Sequence, residues 1–113
     1  MARNYLGEFE EIVLLTVGVL GDNAYGVAIK DEIEQRTGNK ASIGALHSAL
    51  NRLEKKGYLR STEGGATAER GGRRKRFFTV TAYGRGALVQ SRDLRTELWS
   101  LLPDWSVKLK PNT

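Results

Sequence analysis

The stretch Ser42–Gly57, SIGALHSALNRLEKKG, carries a clear helical pattern with a marked beginning and a marked end. The Ser42 hydroxyl can accept a hydrogen bond from a free amide of the first turn, and Gly57 can adopt the left-handed conformation that ends a helix. The apolar positions recur at intervals of three and four residues, so they form one stripe. The stripe consists of Leu46, Leu50 and Leu53, with Ile43 and Ala49 on its flanks. The sequence therefore predicts one amphipathic helix of about four turns.

The opposite face of this helix carries small, hydrogen-bonding side chains near its N-terminus and basic side chains near its C-terminus. It carries Gly44, Ser48, Asn51 and Lys55, with His47 and Arg52 to either side. Small residues let a helix approach a surface closely, and Ser, Asn and His side chains can bind base edges or phosphates. Taken alone, the same pattern is equally compatible with an ordinary solvated face.

The positive charge of the chain is concentrated after this helix. Arg70, Arg73, Arg74, Lys75 and Arg76 lie within seven residues that contain no acid, whereas the net charge of all 113 residues is +5. Outside this run, 13 basic residues balance 13 acidic ones, and residues 1–40 have a net charge of −3. This uneven distribution of charge favours a protein with one face that binds a polyanion and another face that is turned away from it.

Two further helices are predicted ahead of the central one. The first is Glu8–Leu20, which is apolar on more than one side, so we expect its second side to meet another subunit. The second is Ala24–Thr37, capped by Asp22 or Asn23 and terminated by Gly38. The link from Gly38 to the central helix is short, which forces the two helices to cross as a helix-turn-helix.

The segments after Gly57 predict a β-hairpin and a long last helix. Two short segments rich in aromatic and β-branched residues, Tyr58–Glu63 and Arg76–Thr81, flank a glycine-rich loop and predict a β-hairpin. Because the hairpin carries the arginines, we interpret it as a wing that binds a sugar-phosphate backbone or a minor groove. A merely flexible, soluble loop is the alternative. Thr81 caps a helix over residues 82–102 whose apolar stripe resembles a coiled-coil seam, which predicts dimerisation through helices 1 and 4.

Composition excludes several classes of function. The chain has no cysteine and one histidine, and no spacing resembles a metal site, a phosphate loop or a catalytic serine motif, so we expect neither an enzyme nor a cofactor. The longest apolar run, Ile12–Leu20, is too short to span a bilayer, and it is preceded by Glu8, Glu10 and Glu11, where a signal peptide would be positively charged. We expect a cytoplasmic protein that does not enter a membrane.

Taken together, these residues resemble the PadR-type winged-helix transcriptional regulators in their short form. The resemblance extends from about Leu6 to Leu102 and rests on three motifs: Ala24-Tyr25-Gly26, the Ile43-to-Gly57 helix, and the run from Gly72 to Thr81 with Gly84. It implies an α+β, mainly α fold, with a winged helix-turn-helix domain over residues 1–81 and a dimerisation helix over 82–102. It also implies a homodimer that represses by binding double-stranded DNA. The basic, proline-containing end beyond the resemblance predicts a flexible tail over 103–113.

The chain departs from the family pattern at three places. A histidine, His47, replaces a tyrosine that often contacts the DNA backbone, and Arg74 replaces a proline. Phe77 and Phe78 replace paired tyrosines, so we expect that side of the strand to be packed.

The resemblance also implies a ligand. Some members of the family are released from DNA by planar aromatic ligands that stack between paired tryptophans. Trp99 is the corresponding candidate here, although the ring could instead simply fill the dimer interface.

The sequence thus predicts a DNA-binding surface and one ligand-binding residue. The DNA-binding candidates are Ser42, Gly44, His47, Ser48, Asn51, Lys55, Arg70, Arg73, Arg74, Lys75 and Arg76, and the ligand-binding candidate is Trp99. A winged helix used for protein contact is the alternative, because the fold does not dictate its partner. RNA binding is disfavoured, since no exposed aromatic platform for unpaired bases is evident.

Overall fold

The computed structural model describes residues 6–64 and 75–105, which form four α-helices and one two-stranded antiparallel sheet. The elements in chain order are α1 (Glu8–Leu20), a short 3-10 helix (Gly21–Asn23), α2 (Gly26–Thr37), α3 (Ile43–Lys55), β1 (Leu59–Gly64), β2 (Lys75–Val80) and α4 (Ala82–Leu101). This is the winged helix-turn-helix followed by a C-terminal helix that the sequence predicted, and the bounds of α1 agree with the prediction.

The ends of α3 are those that the sequence marks. The Ser42 hydroxyl accepts a hydrogen bond from the Ala45 amide at 3.1 Å, and Gly57 has a φ of 84°, which only glycine adopts without strain. The predicted stripe is buried, with Leu46, Ala49, Leu50 and Leu53 in the core, whereas Ile43, predicted on its flank, is 46% exposed. α3 is therefore held by its apolar face, and its opposite face is left to solvent.

The core forms where α1, α2, α3 and the sheet meet. Its members are Val13, Leu14, Val17, Ala24, Ile29, Ile33, Leu46, Ala49, Leu50, Leu53, Tyr58, Leu59 and Phe78. Each large apolar side chain removed from water contributes about 1.5–3 kcal/mol, so this cluster fixes α3 relative to the wing. Phe78 is buried, as expected from the loss of a hydroxyl at that position.

The beginning of α2 differs from the prediction. The Ala24 carbonyl accepts a hydrogen bond from the Phe78 amide at 2.8 Å, and extended Tyr25 forms an antiparallel bridge with Phe77. These two residues add to the sheet beside β2, so the helix starts at Gly26. The prediction that Asp22 or Asn23 caps α2 was wrong, because both lie in the 3-10 helix and the N-cap position is Tyr25, which makes no side-chain cap.

The two strands of the wing pair in a regular register, from Leu59 opposite Val80 to Gly64 opposite Lys75. Each strand is shifted by one residue from its predicted bounds. Most of the predicted glycine-rich loop lies outside the described residues, and so do Arg70, Arg73 and Arg74. The described part of the wing therefore includes Lys75 and Arg76 of the basic run.

The first turn of α4 is closely joined to the end of α3. The Thr81 hydroxyl accepts a hydrogen bond from the Gly84 amide at 2.9 Å and donates one to the Gly57 carbonyl at 2.7 Å. A Cβ atom at Gly84 would lie 2.3 Å from the Tyr58 carbonyl oxygen, so glycine is required for this approach. Farther along, Arg95 and Ser91 bind the Glu11 carboxylate of α1 at 2.8 and 3.0 Å. These contacts set the direction of α4.

Candidate nucleic-acid interface

The polar face of α3 is open to solvent along its whole length. Five predicted residues lie exposed on it: Gly44, His47, Ser48, Asn51 and Lys55. They share this face because residues three, four and seven apart lie on one side of a helix. Lys55 makes no ion pair within residues 6–64 and 75–105, so its ammonium group is available to an anion. Ser42 lies at the start of the same face, where its oxygen already serves as the helix cap.

The turn that sets the angle between α2 and α3 is held by a carboxylate. The Glu34 side chain accepts a hydrogen bond from the Ala41 amide at 2.8 Å and lies 3.2 Å from the Lys30 ammonium. The amide hydrogen bond, followed by the Lys30 contact, lowers the pKa of Glu34 below its ordinary value. This role of Glu34 was not predicted from the sequence, although its position seven residues before Ala41 suits a bond across the turn.

Two basic residues at the end of α3 face away from the open surface. Arg52 Nε and Lys56 Nζ bind the two carboxylate oxygens of Glu10 on α1, at 2.6 and 2.9 Å. Burial of Glu10 opposes its ionisation, but the hydrogen bonds from Arg52 and then Lys56 outweigh that effect and lower the pKa of Glu10. Arg52 therefore stabilises the packing of α3 on α1, whereas Lys55 has no such partner in the described part of the chain.

The wing places its two described cations beside α2 and α3. Lys75 Nζ lies 4.2 Å from the centre of the Tyr25 ring, a cation–π distance, and the Arg76 guanidinium lies over Phe78. Arg76 Nη2 also contacts Glu54 Oε1 of α3 at 2.7 Å, while the Ser61 hydroxyl donates to the other Glu54 oxygen at 2.7 Å. Glu54 thus ties both strands to α3 and offsets part of the Arg76 charge.

An open groove of about 420 Å³ lies between the start of α2, the exposed face of α3 and β2. Its lining residues are Tyr25, Gly26, Val27, Ile43, His47, Leu50, Asn51, Lys75, Arg76 and Phe78. The structure therefore brings four predicted residues, His47, Asn51, Lys75 and Arg76, to one surface. Val27 and Tyr25 were not predicted to lie there, because the pairing of Tyr25 with β2 is a long-range contact without a local signal.

Neither a candidate metal site nor a candidate membrane span is found in the described residues. Across residues 6–64 and 75–105, no cluster of three or more potential ligands is placed to hold a metal ion. Within the same ranges, no helix combines the length and the apolar character that a membrane crossing requires.

A two-helix unit with an open polar face, followed by a wing, defines the winged helix-turn-helix fold. The sequence of residues 16–90 matches the PadR-like family of transcriptional regulators. The chain belongs to this family and is a DNA-binding regulator by its family. A search of curated proteins found no match.

Solved structures of similar proteins are also regulators. RosR from H. salinarum, whose structure was solved as a complex, has a sequence 28% identical to this one. The two structures match with a TM-score of 0.65, and the match covers 89% of this chain and 78% of the RosR chain. A transcriptional regulator from Clostridium thermocellum is 25% identical, with a TM-score of 0.65 over 86% of this chain and 92% of that one. A PadR-like transcriptional regulator from Bacillus cereus is similar in fold, with 16% sequence identity and a TM-score of 0.67. The match covers 83% of this chain and 86% of that one.

Proposed function

We propose that this chain is a homodimeric repressor that binds a two-fold operator in double-stranded DNA through α3 and the wing. The observation that carries the proposal is the exposed polar row of α3 beside Lys75 and Arg76 on one open surface. The major groove of B-DNA admits a helix, and its base edges offer donors and acceptors that Ser48 and Asn51 can match. The repressor role is inferred from the family.

The predicted residues divide into two roles. Ser48 and Asn51 read base edges from the middle of α3, where Gly44 allows close approach. Ser42, His47 and Lys55 bind phosphates around them, and the wing residues Arg70, Arg73, Arg74, Lys75 and Arg76 anchor the backbone on the flank. In this assignment the cations of the wing raise the affinity for any duplex, and the polar side chains of α3 distinguish the operator from other DNA sequences.

Dimerisation is proposed to bury the apolar surface that one copy leaves open on α1 and α4. On α4, Leu98 is 55% exposed and Leu101 70%, and Leu15 and Val19 of α1 are exposed as well. A two-fold pair would then hold two α3 helices about one DNA turn apart, roughly 34–36 Å, which calls for a palindromic site. Residues 1–81, 82–102 and 103–113 would act as the DNA-binding domain, the dimerisation helix and a tail.

A planar aromatic effector is the proposed signal, with Trp99 as its contact. The Trp99 ring is 67% exposed beside Leu98, where a two-fold axis would bring two such rings together around a flat guest. In a Trp105→Phe background, saturable quenching of Trp99 by a planar dye, together with weaker operator binding, is the expected result. Equal dye binding by the Trp99→Leu derivative would show that the ring is structural.

The proposal is tested by replacing Arg73, Arg74, Lys75 and Arg76 together with alanine. The DNA site is first obtained by footprinting the purified protein on genomic DNA, beginning with its own promoter. The variant should bind every duplex more weakly. The slope of log affinity against log salt should also flatten, by up to about 0.9 for each phosphate that the wing no longer neutralises.

Normal binding by this variant at physiological salt would remove the wing from the interface. Absence of a salt-sensitive duplex complex in the wild type would instead favour the alternative, a winged helix that contacts another protein.

A further inference from the structure

Two apolar side chains stand exposed on the surface assigned to DNA. Val27, in the first turn of α2, is 59% exposed, and Ile43, the first residue of α3, is 46% exposed. Single exposed apolar residues are common on any protein. These two line the same groove, however, although they come from different helices and neither belongs to the buried core. The groove therefore has an apolar wall, to which α2 and α3 contribute one exposed residue each.

The same groove carries hydrogen-bonding and cationic groups beside this wall. Ile43, His47 and Asn51 are four residues apart along α3 and so form one row on the helix surface, and all three line the groove. Lys75 and Arg76 of β2 line it as well. This combination suits a polyanion with an apolar patch better than it suits an apolar peptide, since such a peptide offers no negative charge to the cations.

Duplex DNA presents one apolar group of this kind in its major groove, the 5-methyl group of thymine. The N-terminal residues of a recognition helix also reach base edges, and Ile43 is the first residue of α3. We propose that Ile43, together with Val27 of the same groove, contacts a thymine methyl in each half-site and makes the protein selective for an A·T pair there. This inference rests on the proposed function and adds a specificity-determining contact that is apolar.

The test uses the duplex that the wild-type protein selects and replaces its thymines one at a time with deoxyuridine, which lacks only the methyl group. One position in each half-site should weaken wild-type binding about fourfold, the factor that corresponds to one buried methyl group. The same replacement should leave Ile43→Ala binding unchanged, because that variant already lacks the side chain that meets the methyl group. Val27→Ala should show an intermediate effect.

Lys55→Ala serves as the matched control, since it removes an exposed side chain from the same helix face without touching the apolar wall. The Lys55→Ala variant should bind every duplex more weakly, and deoxyuridine replacement should still weaken its binding about fourfold. Thermal unfolding of each variant establishes that it is folded, and Val27→Ala provides a second readout if Ile43→Ala is impaired.

Two results would overturn the inference while the proposed function stands. One is a wild-type protein that prefers its selected duplex but is indifferent to every deoxyuridine replacement. The other is an Ile43→Ala variant that retains the full fourfold effect. A wild-type protein that prefers no duplex at all would refute the proposed function, and this inference with it.

Discussion

Helices α3 and α4 of this chain differ in how much of their surface a single copy covers. α3 has 13 residues, four of them buried, and its Arg52 and Glu54 side chains are paired with α1 and the wing. α4 has 20 residues, of which Gly84 alone is buried within the described chain. Residues 6–64 and 75–105 thus orient α3, the proposed reading helix, but leave most of the surface of α4 exposed.

The reason lies in where each helix keeps its apolar side chains. The stripe of α3 faces α1, α2 and the sheet, all of which come from the same chain. The apolar residues late in α4 are not covered by the described residues, and Leu98, Trp99 and Leu101 remain exposed. Because large contiguous apolar patches on protein surfaces mark interaction sites, this exposed end of α4 is the basis of the dimer proposal.

The largest effect is expected for Leu98→Asp. A carboxylate at the proposed seam would be buried without a partner, at a cost of about 3–5 kcal/mol, so the variant should sediment as a monomer. Thr96→Asp is the matched control, because residue 96 is exposed and lies on the other side of the helix. A wild type that is monomeric at micromolar concentration would end the dimer proposal, and the exposed end of α4 would then need another partner.

A smaller effect is expected where α4 joins the body. Gly84→Ala places a Cβ against the Tyr58 carbonyl and should lower the free energy of unfolding by about 1–3 kcal/mol. Gly86→Ala, on the same helix with no atom within 4 Å of its Cβ position, should raise it by up to about 1 kcal/mol through helix propensity. Chemical denaturation measures both, and equal effects would show that the first turn is not closely packed.

The ion pairs that hold α3 on α1 should appear in the pH dependence of stability. The folded-state pKa of Glu10 is lowered, so its contribution is present above the ordinary value of 4.5 and disappears as the pH falls through the folded value. Glu10→Gln should cost about 1 kcal/mol near neutral pH and progressively less in acid. The control Glu32→Gln removes a surface pair with Arg36 on α2 and should cost less than about 0.5 kcal/mol.

If Glu10→Gln destabilised the protein equally in strong acid and at neutral pH, Glu10 would not be acting through its charge. The contacts of Arg52 and Lys56 with it would then be incidental to the packing of α3.

Local signals in the sequence predicted most of the fold. The Ser42 and Thr81 caps, the positive φ of Gly57 and the stripe of α3 depend on neighbouring residues, and all are confirmed. The start of α2 was misplaced because Ala24 bonds to Phe78, which is distant in the sequence. A contact of that kind leaves no periodic pattern in the sequence.

The candidate site was predictable to a different degree. The sequence indicates which residues of α3 face outward, because a helix repeats its faces regularly. It did not reveal that Glu10 draws Arg52 and Lys56 toward α1, nor that Glu54 pairs with Arg76. These pairings direct Arg52 and Lys56 to α1 and offset part of the Arg76 charge, and they depend on how the elements pack.

The most direct test of DNA reading by α3 compares wild type with the Ser48→Ala/Asn51→Ala variant on two duplexes, the selected site and a scrambled one. The ratio of the two dissociation constants measures discrimination, and it should fall by at least about tenfold in the variant, since each base contact is worth about 1–3 kcal/mol. Lys55→Ala should weaken both complexes equally. If the double variant keeps the wild-type ratio, α3 does not read the bases through these side chains, which contradicts the proposed function.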